Sequence, residues 1–384
     1  MSKSTNKVKL YLAIAAISLI QGLQIGMSPV IGAISEHYTN VDVSLVQMLI
    51  TIPAFISVFS SILVGVLVLK VSKKHLLLFS CALAAVAGLL PIAVDNFYLL
   101  FAMRAVYGIS LGFSTALNTA VVSEFFEGDE RVTAMGFQAA TVGAGMMILS
   151  AVTGWLGKAS FVHSYYVNIA ALVSFILILF CLPDTGKAVE SESEKVSLNR
   201  KVIPVYCFVF LEFFFLITFS TNIAMHIGGA LAGNSSVSGV LTSVYAGSQI
   251  IVGLILGQIT KLTKRLVLPT AMMCFAIGAV LLVVFPDNYM MLIIAALFCG
   301  FSQGIYCPSG FVEVSNAVPP VAVALASAGF NAAACAGQTL SPSLTNLMSK
   351  AFFGSATTEG VFLISAVGMC ITSAIYCSFK LKSK

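Results

Sequence analysis

Residues 94–112, VDNFYLLFAMRAVYGISLG, and residues 286–304, PDNYMMLIIAALFCGFSQG, fall over one another when the 384-residue sequence is moved by 192 positions, half its own length. Asp95 and Asn96 then meet Asp287 and Asn288, and Gly108 and Gly112 meet Gly300 and Gly304. One residue out of step, MGFQAA (135–140) matches AGFNAA (328–333), and Gly65 followed by Lys73 and Lys74 corresponds loosely to Gly257 followed by Lys264 and Arg265. Chance similarity through shared Leu, Ala and Gly would not match loop residues at a single offset. The chain therefore reads as two copies of one ancestral pattern.

Composition names the solvent. Apolar residues make up 59% of the chain and charged residues 9%, with a mean hydropathy of +1.00, far from the range of soluble domains. Apolar runs of about 20 residues, long enough for a helix to cross a bilayer core of about 30 Å, recur with short polar breaks. Twelve are expected, near 9–32, 44–69, 75–94, 97–123, 132–156, 164–183, 202–227, 237–260, 266–285, 289–314, 321–347 and 359–379. The fold class expected is an all-α membrane protein of two pseudo-symmetric six-helix bundles, 1–183 and 202–384. The charged, serine-rich stretch 184–201 joins them as a solvated linker.

Lys and Arg fix the orientation, because they stay on the cytoplasmic side of short loops. With both termini inside, every one of the 20 falls inside except Lys158, Lys350 and the intramembrane Arg104. The net charge of +5 is thus a topology signal for a multi-pass protein of the cell membrane, and gives no reason to invoke nucleic acid. The first apolar run lacks a small-residue cleavage site and reads as a spanning helix rather than a secretory leader. The nine cysteines lie in apolar runs without a Cys-x-x-Cys pair, as core residues do, so no metal or cofactor is expected. GISLG (108–112) spells G-x-S-x-G inside an apolar helix, where no nucleophile elbow forms, and its small residues serve helix packing instead. NSS (234–236) is a glycosylation triplet in an external loop, and no phosphate-binding loop is present. An enzyme is not expected.

A parallel repeat of six helices, with linker and termini on one side, is the plan of alternating-access transporters, whose halves rock about a site near the midplane. Two charges lie at membrane depth. Glu212, in FVFLEFFFLITF (208–219), sits about 15 Å into span seven. A carboxylate there needs a partner, water or a proton, and the expectation is a proton carrier or cation anchor beside a wet cavity, against a structural carboxyl held between helices. Arg104 cannot neutralise and must find a carboxylate, carbonyls or water, either as a structural post or as an anchor for an anionic solute.

Uncharged polar residues cluster on the spans expected to line a cavity: Gln21 and Gln24, Gln138 and Thr141, Tyr245 and Gln249, Gln303 and Tyr306, Asn331 and Gln338. Cavity lining and interhelical hydrogen bonding both fit them, and Gln138 with Asn331 favour lining as repeat equivalents. Asp95 and Asp287 are expected to cap helices. Glu124 and Glu313, near cytoplasmic helix ends, are expected to pair with Arg131 or nearby lysines, or to belong to a cytoplasmic gate. His226 reads as a hydrated interfacial histidine.

These features resemble the major facilitator superfamily over essentially the whole chain. GVLVLKVSKKHLL (65–77) is similar to its loop G-x-L-x-D-R-x-G-R-R-x-x-L, with Gly65, Leu67, Lys73, Lys74 and Leu77 in register, Lys70 for the first arginine, Leu69 at the aspartate position and Ser72 at the second glycine. RAVYGISLG (104–112) fits R-x-x-x-G-x-x-x-G, and ERVTAMG (130–136) is similar to the entry into helix five. The twelve-helix drug:proton antiporter branch is nearest in size; of its G-P-x-x-G-G signature, SAVTGW (150–155) keeps Gly154. The resemblance implies a monomeric secondary transporter that exports amphipathic compounds against protons, with Arg104 a candidate in the proton relay. Uptake of a polar nutrient or organic anion, with Arg104 as anchor, and a non-transporting receptor are the alternatives.

Overall fold

The structure, a computed structural model, describes residues 7–187, 202–318 and 322–382, so most of the expected linker lies outside the described residues. The helices are α1 (Lys7–Gly22), α2 (Ile31–His37), α3 (Val43–Leu67), α4 (Lys73–Leu89), α5 (Phe97–Phe125), α6 (Gly128–Gly157), α7 (Phe161–Ser164) and α8 (Ile169–Cys181) in the first half of the chain. The second half holds α9 (Ile203–Leu216), α10 (Thr218–His226), α11 (Ser235–Thr263), α12 (Val267–Val284), α13 (Tyr289–Asn316), α14 (Val323–Phe353) and α15 (Thr358–Lys382).

Nine stretches among the described residues are long and apolar enough to cross a membrane, where twelve were expected. The difference has three physical sources. GLQIGMSP (22–29) places two glycines and a proline inside the first apolar run and breaks it into α1 and α2, each too short to count alone. Ser235–Val284 scores as one stretch, although α11 and α12 are separate helices within it. In α14, Asn331, Gln338, Asn346 and several Ser and Thr dilute an otherwise sufficient length.

Helix starts are set by short polar side chains that accept the free N–H groups of the first turn. Asn96 caps α5 through Leu99 N at 3.0 Å, and Asn288 caps α13 through Met290 N at 3.1 Å. The expectation that Asp95 and Asp287 would cap is therefore off by one residue. Asp95 instead accepts from His37 Nε2 at 2.9 Å and the Tyr38 hydroxyl at 2.5 Å, tying the end of α2 to the start of α5. These bonds hold its carboxyl below the usual range, the Tyr38 bond most and the His37 bond next.

Three apolar clusters form the interior. One, from Leu10 to Leu182, belongs to the first half, and one, from Val205 to Tyr376, to the second. The third mixes the two: Met27, Val30, Ile31, Val46, Leu49, Ile50 and Phe97 pack with Ile217 and Ala224. It lies at the end of the bundle opposite the chain termini. Here the halves also approach backbone to backbone: a Cβ on Gly154 of α6 would stand 2.6 Å from Gly239 Cα of α11 and 2.5 Å from Ser235 O. Only glycine admits that approach.

At the terminal end the halves part. Gly253, Leu254 and Ile255 of α11, and Gly257 and Gln258 one turn on, are all exposed, which covers more of the helix circumference than one lipid-facing side would. Gly136 of α6 and Gly253 and Gly257 of α11 have no neighbour within 4 Å of a built Cβ. The molecule is closed at one end and open at the other.

Candidate functional site

Glu212 is fully buried in the second half, on the tenth residue of α9. Its Oε1 accepts from Ser302 Oγ of α13 at 3.0 Å, and its Oε2 has no partner among the described residues. Phe213 beside it meets Tyr306 of α13 edge-on at 6.3 Å and Phe330 of α14 at 6.2 Å. Tyr245 of α11, Cys274 of α12 and Tyr306 stand close enough to feel its charge. The Tyr306 hydroxyl is likewise buried without a partner among the described residues. In this conformation Glu212 opens on no cavity and is enclosed by side chains of α9, α11 and α13. An unpaired carboxylate buried there would cost several kcal/mol.

Arg104 of α5 is buried too, and its environment is the opposite. Nε donates to Leu49 O at 2.7 Å, Nη2 donates to Gln24 O at 2.8 Å, and the guanidinium lies 5.0 Å from the Tyr107 ring centre. Both acceptors are backbone carbonyls that local structure leaves free. Leu49 O would bond the N–H of residue 53, but that residue is Pro53, inside α3. Gln24 O lies in the broken stretch between α1 and α2, where Ser28 N turns to Ile25 O instead. In hydrocarbon such groups must be satisfied internally, and one buried cation satisfies both. No bond joins Arg104 to Glu212, which lies in the other half.

The other predicted polar residues divide between the halves. In the first, Gln138 Nε2 donates to Thr119 Oγ1 at 3.4 Å, Thr141 Oγ1 and Asn118 Nδ2 both reach Ser18 Oγ, and Gln21 Nε2 donates to Ser114 O. Gln24 is partly exposed. In the second, the Tyr245 hydroxyl and Gln249 Nε2 both donate to Gln303 Oε1, the latter at 3.1 Å. Asn331 is exposed on α14, and Gln338 Oε1 is buried without a partner among the described residues. The repeat equivalents Gln138 and Asn331 are thus not brought to one contact. His226, expected in a hydrated interface, is buried: its ring nitrogens meet Thr358 Oγ1 at 3.0 Å and Leu282 O at 2.9 Å.

The loop and gate candidates pair within their own half. Lys73 Nζ lies 2.7 Å from Glu124, Lys74 donates to Leu179 O at 2.8 Å, and Arg131 donates to Ser123 Oγ at 2.7 Å. Glu124 therefore takes a lysine and not Arg131. Glu313 takes Lys380 at 2.8 Å and the Tyr376 hydroxyl. Gly65 and Lys70 are exposed. Among the described residues no ion pair crosses between halves, as expected of an end that stands open.

The polar bonds that do cross lie toward the closed end, and sequence reading missed them. Gln47 Nε2 donates to Asn222 Oδ1 at 2.8 Å, while Asn346 Nδ2 donates to Gln47 Oε1 at 2.7 Å and to Ser44 Oγ at 3.1 Å. Ser28 Oγ donates to Ser220 O at 2.5 Å, two positions 192 residues apart and so repeat equivalents. That offset was the available signal: a residue near the symmetry axis meets its own counterpart.

A bundle of apolar helices in two related halves, closed at one end over a buried polar core, defines a polytopic transporter. The Major Facilitator Superfamily model matches residues 10–208 and 205–383, and the chain belongs to that family of secondary transporters, which are not enzymes. None of the curated proteins matches the chain. Among solved structures it is similar to the nucleoside transporter NupG (TM-score 0.74, 17% identity, covering 97% of this chain and 99% of that one). It is also similar to the POT family transporter PepTSo (TM-score 0.80, 7% identity, 98% of each chain). A POT family transporter in complex with 5-aminolevulinic acid gives a TM-score of 0.79 at 10% identity, over 97% of this chain and 96% of that one. These likenesses are of fold.

Proposed function

We propose that the chain is a twelve-span, proton-coupled exporter of amphipathic compounds, in which bundles 1–183 and 202–384 rock about a central site. The protein works as a monomer in the cell membrane with both termini in the cytoplasm, without a cofactor, and the conformation described here faces inward. One observation carries the coupling: among the described residues Glu212 is the single carboxyl at membrane depth, and one of its oxygens has no partner there. A buried acid with a spare acceptor can lose and regain a proton as its surroundings alternate between wet and dry.

Two features favour amphipathic solutes over small anions. Arg104, the only base available to anchor an anion at depth, is spent on Leu49 O and Gln24 O. Where the halves diverge, Gly143, Met147, Gly247 and Ile250 form a charge-free apex, with Met147 Sδ at 3.0 Å from the built Cβ of Gly247. Flexible, polarizable Met suits varied apolar shapes. The polar line of Ser18, Asn118 and Thr141 supports the second reading, uptake of a small polar solute.

The test is pH-gradient-driven flux in proteoliposomes with a panel of hydrophobic cations and small carboxylates, for the native chain and Glu212→Gln. Gradient-driven movement of cations that Glu212→Gln uncouples, with binding kept, supports the reading. Preference for carboxylates turns it to uptake, and flux of nothing in the panel turns it to a receptor.

A further inference from the structure

In the second half, polar side chains on one face of α13 run from Glu212 toward the terminal end. Along α13, Ser302, Tyr306, Ser309 and Glu313 stand four, seven and eleven residues apart from the first, which places all four on one face of the helix. Ser302 holds Glu212, and Glu313 lies about 16 Å away along the helix axis. Between them in the helix, Tyr306 Oη is buried with no partner among the described residues, and Glu212 Oε2 is in the same condition. Further along α13, Ser309 and Glu313 line a cavity of about 940 Å³ together with Val205, Tyr376, Lys264 and Arg265. At its wall the Tyr376 hydroxyl donates to Glu313, which also pairs with Lys380 at 2.8 Å.

Two buried polar atoms without partners among the described residues are costly, and either would lose that cost by engaging the other or a water between them. The titratable groups within electrostatic reach of Glu212 are Tyr245, Cys274 and Tyr306; those within reach of Tyr306 are Glu212, Tyr376, Glu313 and Cys307. Glu212 is the only carboxyl in the first set, and Glu313 marks the solvent end of the second.

We propose that Glu212 exchanges its proton with water in this cavity through the Tyr306 hydroxyl, so that the proton and the solute travel by separate routes. This rests on reading Glu212 as the proton carrier. In loading, the Tyr306 O–H bond breaks as an O–H bond forms on Glu212 Oε2, and a hydronium ion in the cavity returns a proton to Tyr306 Oη, leaving water. Unloading reverses each transfer, with water as the acceptor. Tyr376 and Glu313 position the water at the mouth.

The experiment needs no solute. Purified protein in proteoliposomes is given a pH jump on the terminal side, and the carboxyl infrared band that Glu212→Gln removes is followed in time. Tyr306→Phe keeps the ring and deletes only the relay oxygen, so it is expected to slow the band by about a hundredfold while leaving its equilibrium amplitude, with Tyr376→Phe slowing it less. An unchanged rate in Tyr306→Phe overturns the route while leaving Glu212 as carrier. A shifted midpoint without slowing reduces Tyr306 to a structural neighbour and also overturns it. If no pH-sensitive band is lost in Glu212→Gln, the carrier reading itself falls, and the route with it. Melting temperatures of both phenylalanine variants near that of the native chain exclude misfolding as the cause.

Discussion

The two halves descend from one pattern, yet each keeps its own buried charge where the other has an apolar residue. At the shared offset of 192, Arg104 corresponds to Ala296 and Glu212 to Ile20. In the first half the guanidinium is committed to Leu49 O, Gln24 O and the Tyr107 face. In the second the carboxyl is committed through one oxygen to Ser302, and the other has no partner among the described residues. A fully partnered buried charge fastens helices together, while a half-partnered one retains the capacity to change state. On the proposed reading, Arg104 serves stability and Glu212 serves coupling.

The sharpest way to break that contrast is to delete each charge in turn. Arg104→Leu would leave two buried carbonyls unsatisfied and is expected to cost about 3 kcal/mol or more, read as a fall in melting temperature of the purified protein. Glu212→Gln should change stability by less than about 1 kcal/mol, because the amide still accepts from Ser302 and fills the same space. Equal losses in the two variants would erase the distinction. Arg104→Lys should fall between, since one ammonium cannot span both carbonyls with the geometry of a guanidinium.

Both charges were legible in the sequence as charges, because nothing else of their kind lies at membrane depth. Their roles were not. The partners of Arg104 are backbone carbonyls 55 and 80 residues away, freed by Pro53 and by the break after Gly22, and a free carbonyl has no letter. Fold class and repeat were readable because they rest on periodic apolar runs and a single offset, whereas the broken first run and the polar α14 blurred the count of spans. The Ser302, Tyr306, Ser309, Glu313 stripe was present as spacing, but became recognisable only once Ser302 was seen on Glu212. Gly154, which in the sequence only matched part of a motif, acquires a cause in the contact with Gly239.

A second difference concerns the first helix of each half. GLQIGMSP (22–29) corresponds to FFLITFST (214–221), which has neither glycine nor proline, so α9 and α10 are parted only at Ile217. Both junctions meet at the closed end through Ser28 and Ser220. Interference here should move the alternating equilibrium without unfolding the chain. Gly154→Leu drives a side chain into the α11 backbone and should favour the outward-open form by about 2 to 3 kcal/mol. Gln47→Ala removes its bonds to Asn222 and Asn346 and should shift the same equilibrium by about 2 kcal/mol, or about thirtyfold. Distances between spin labels at Arg131 and Lys261 should shorten in both. Unchanged distances would mean that the apolar cluster alone keeps that end shut.

The smallest effect belongs to Asp95, whose counterpart Asp287 lies instead against Gly228 and Gly229. The Tyr38 and His37 bonds lower the folded-state pKa of Asp95. A depressed folded pKa contributes stability that is present above the unfolded value of about 3.9 and is lost as pH falls through the folded value. The melting temperature of the native protein should therefore drop between about pH 4 and the lowered pKa more than that of Asp95→Asn, which cannot titrate there. Because Asp95 is exposed, high salt should shrink the difference. Matching acid profiles would show that the His37 and Tyr38 contacts only position the end of α2, and that the two halves differ at this loop in shape alone.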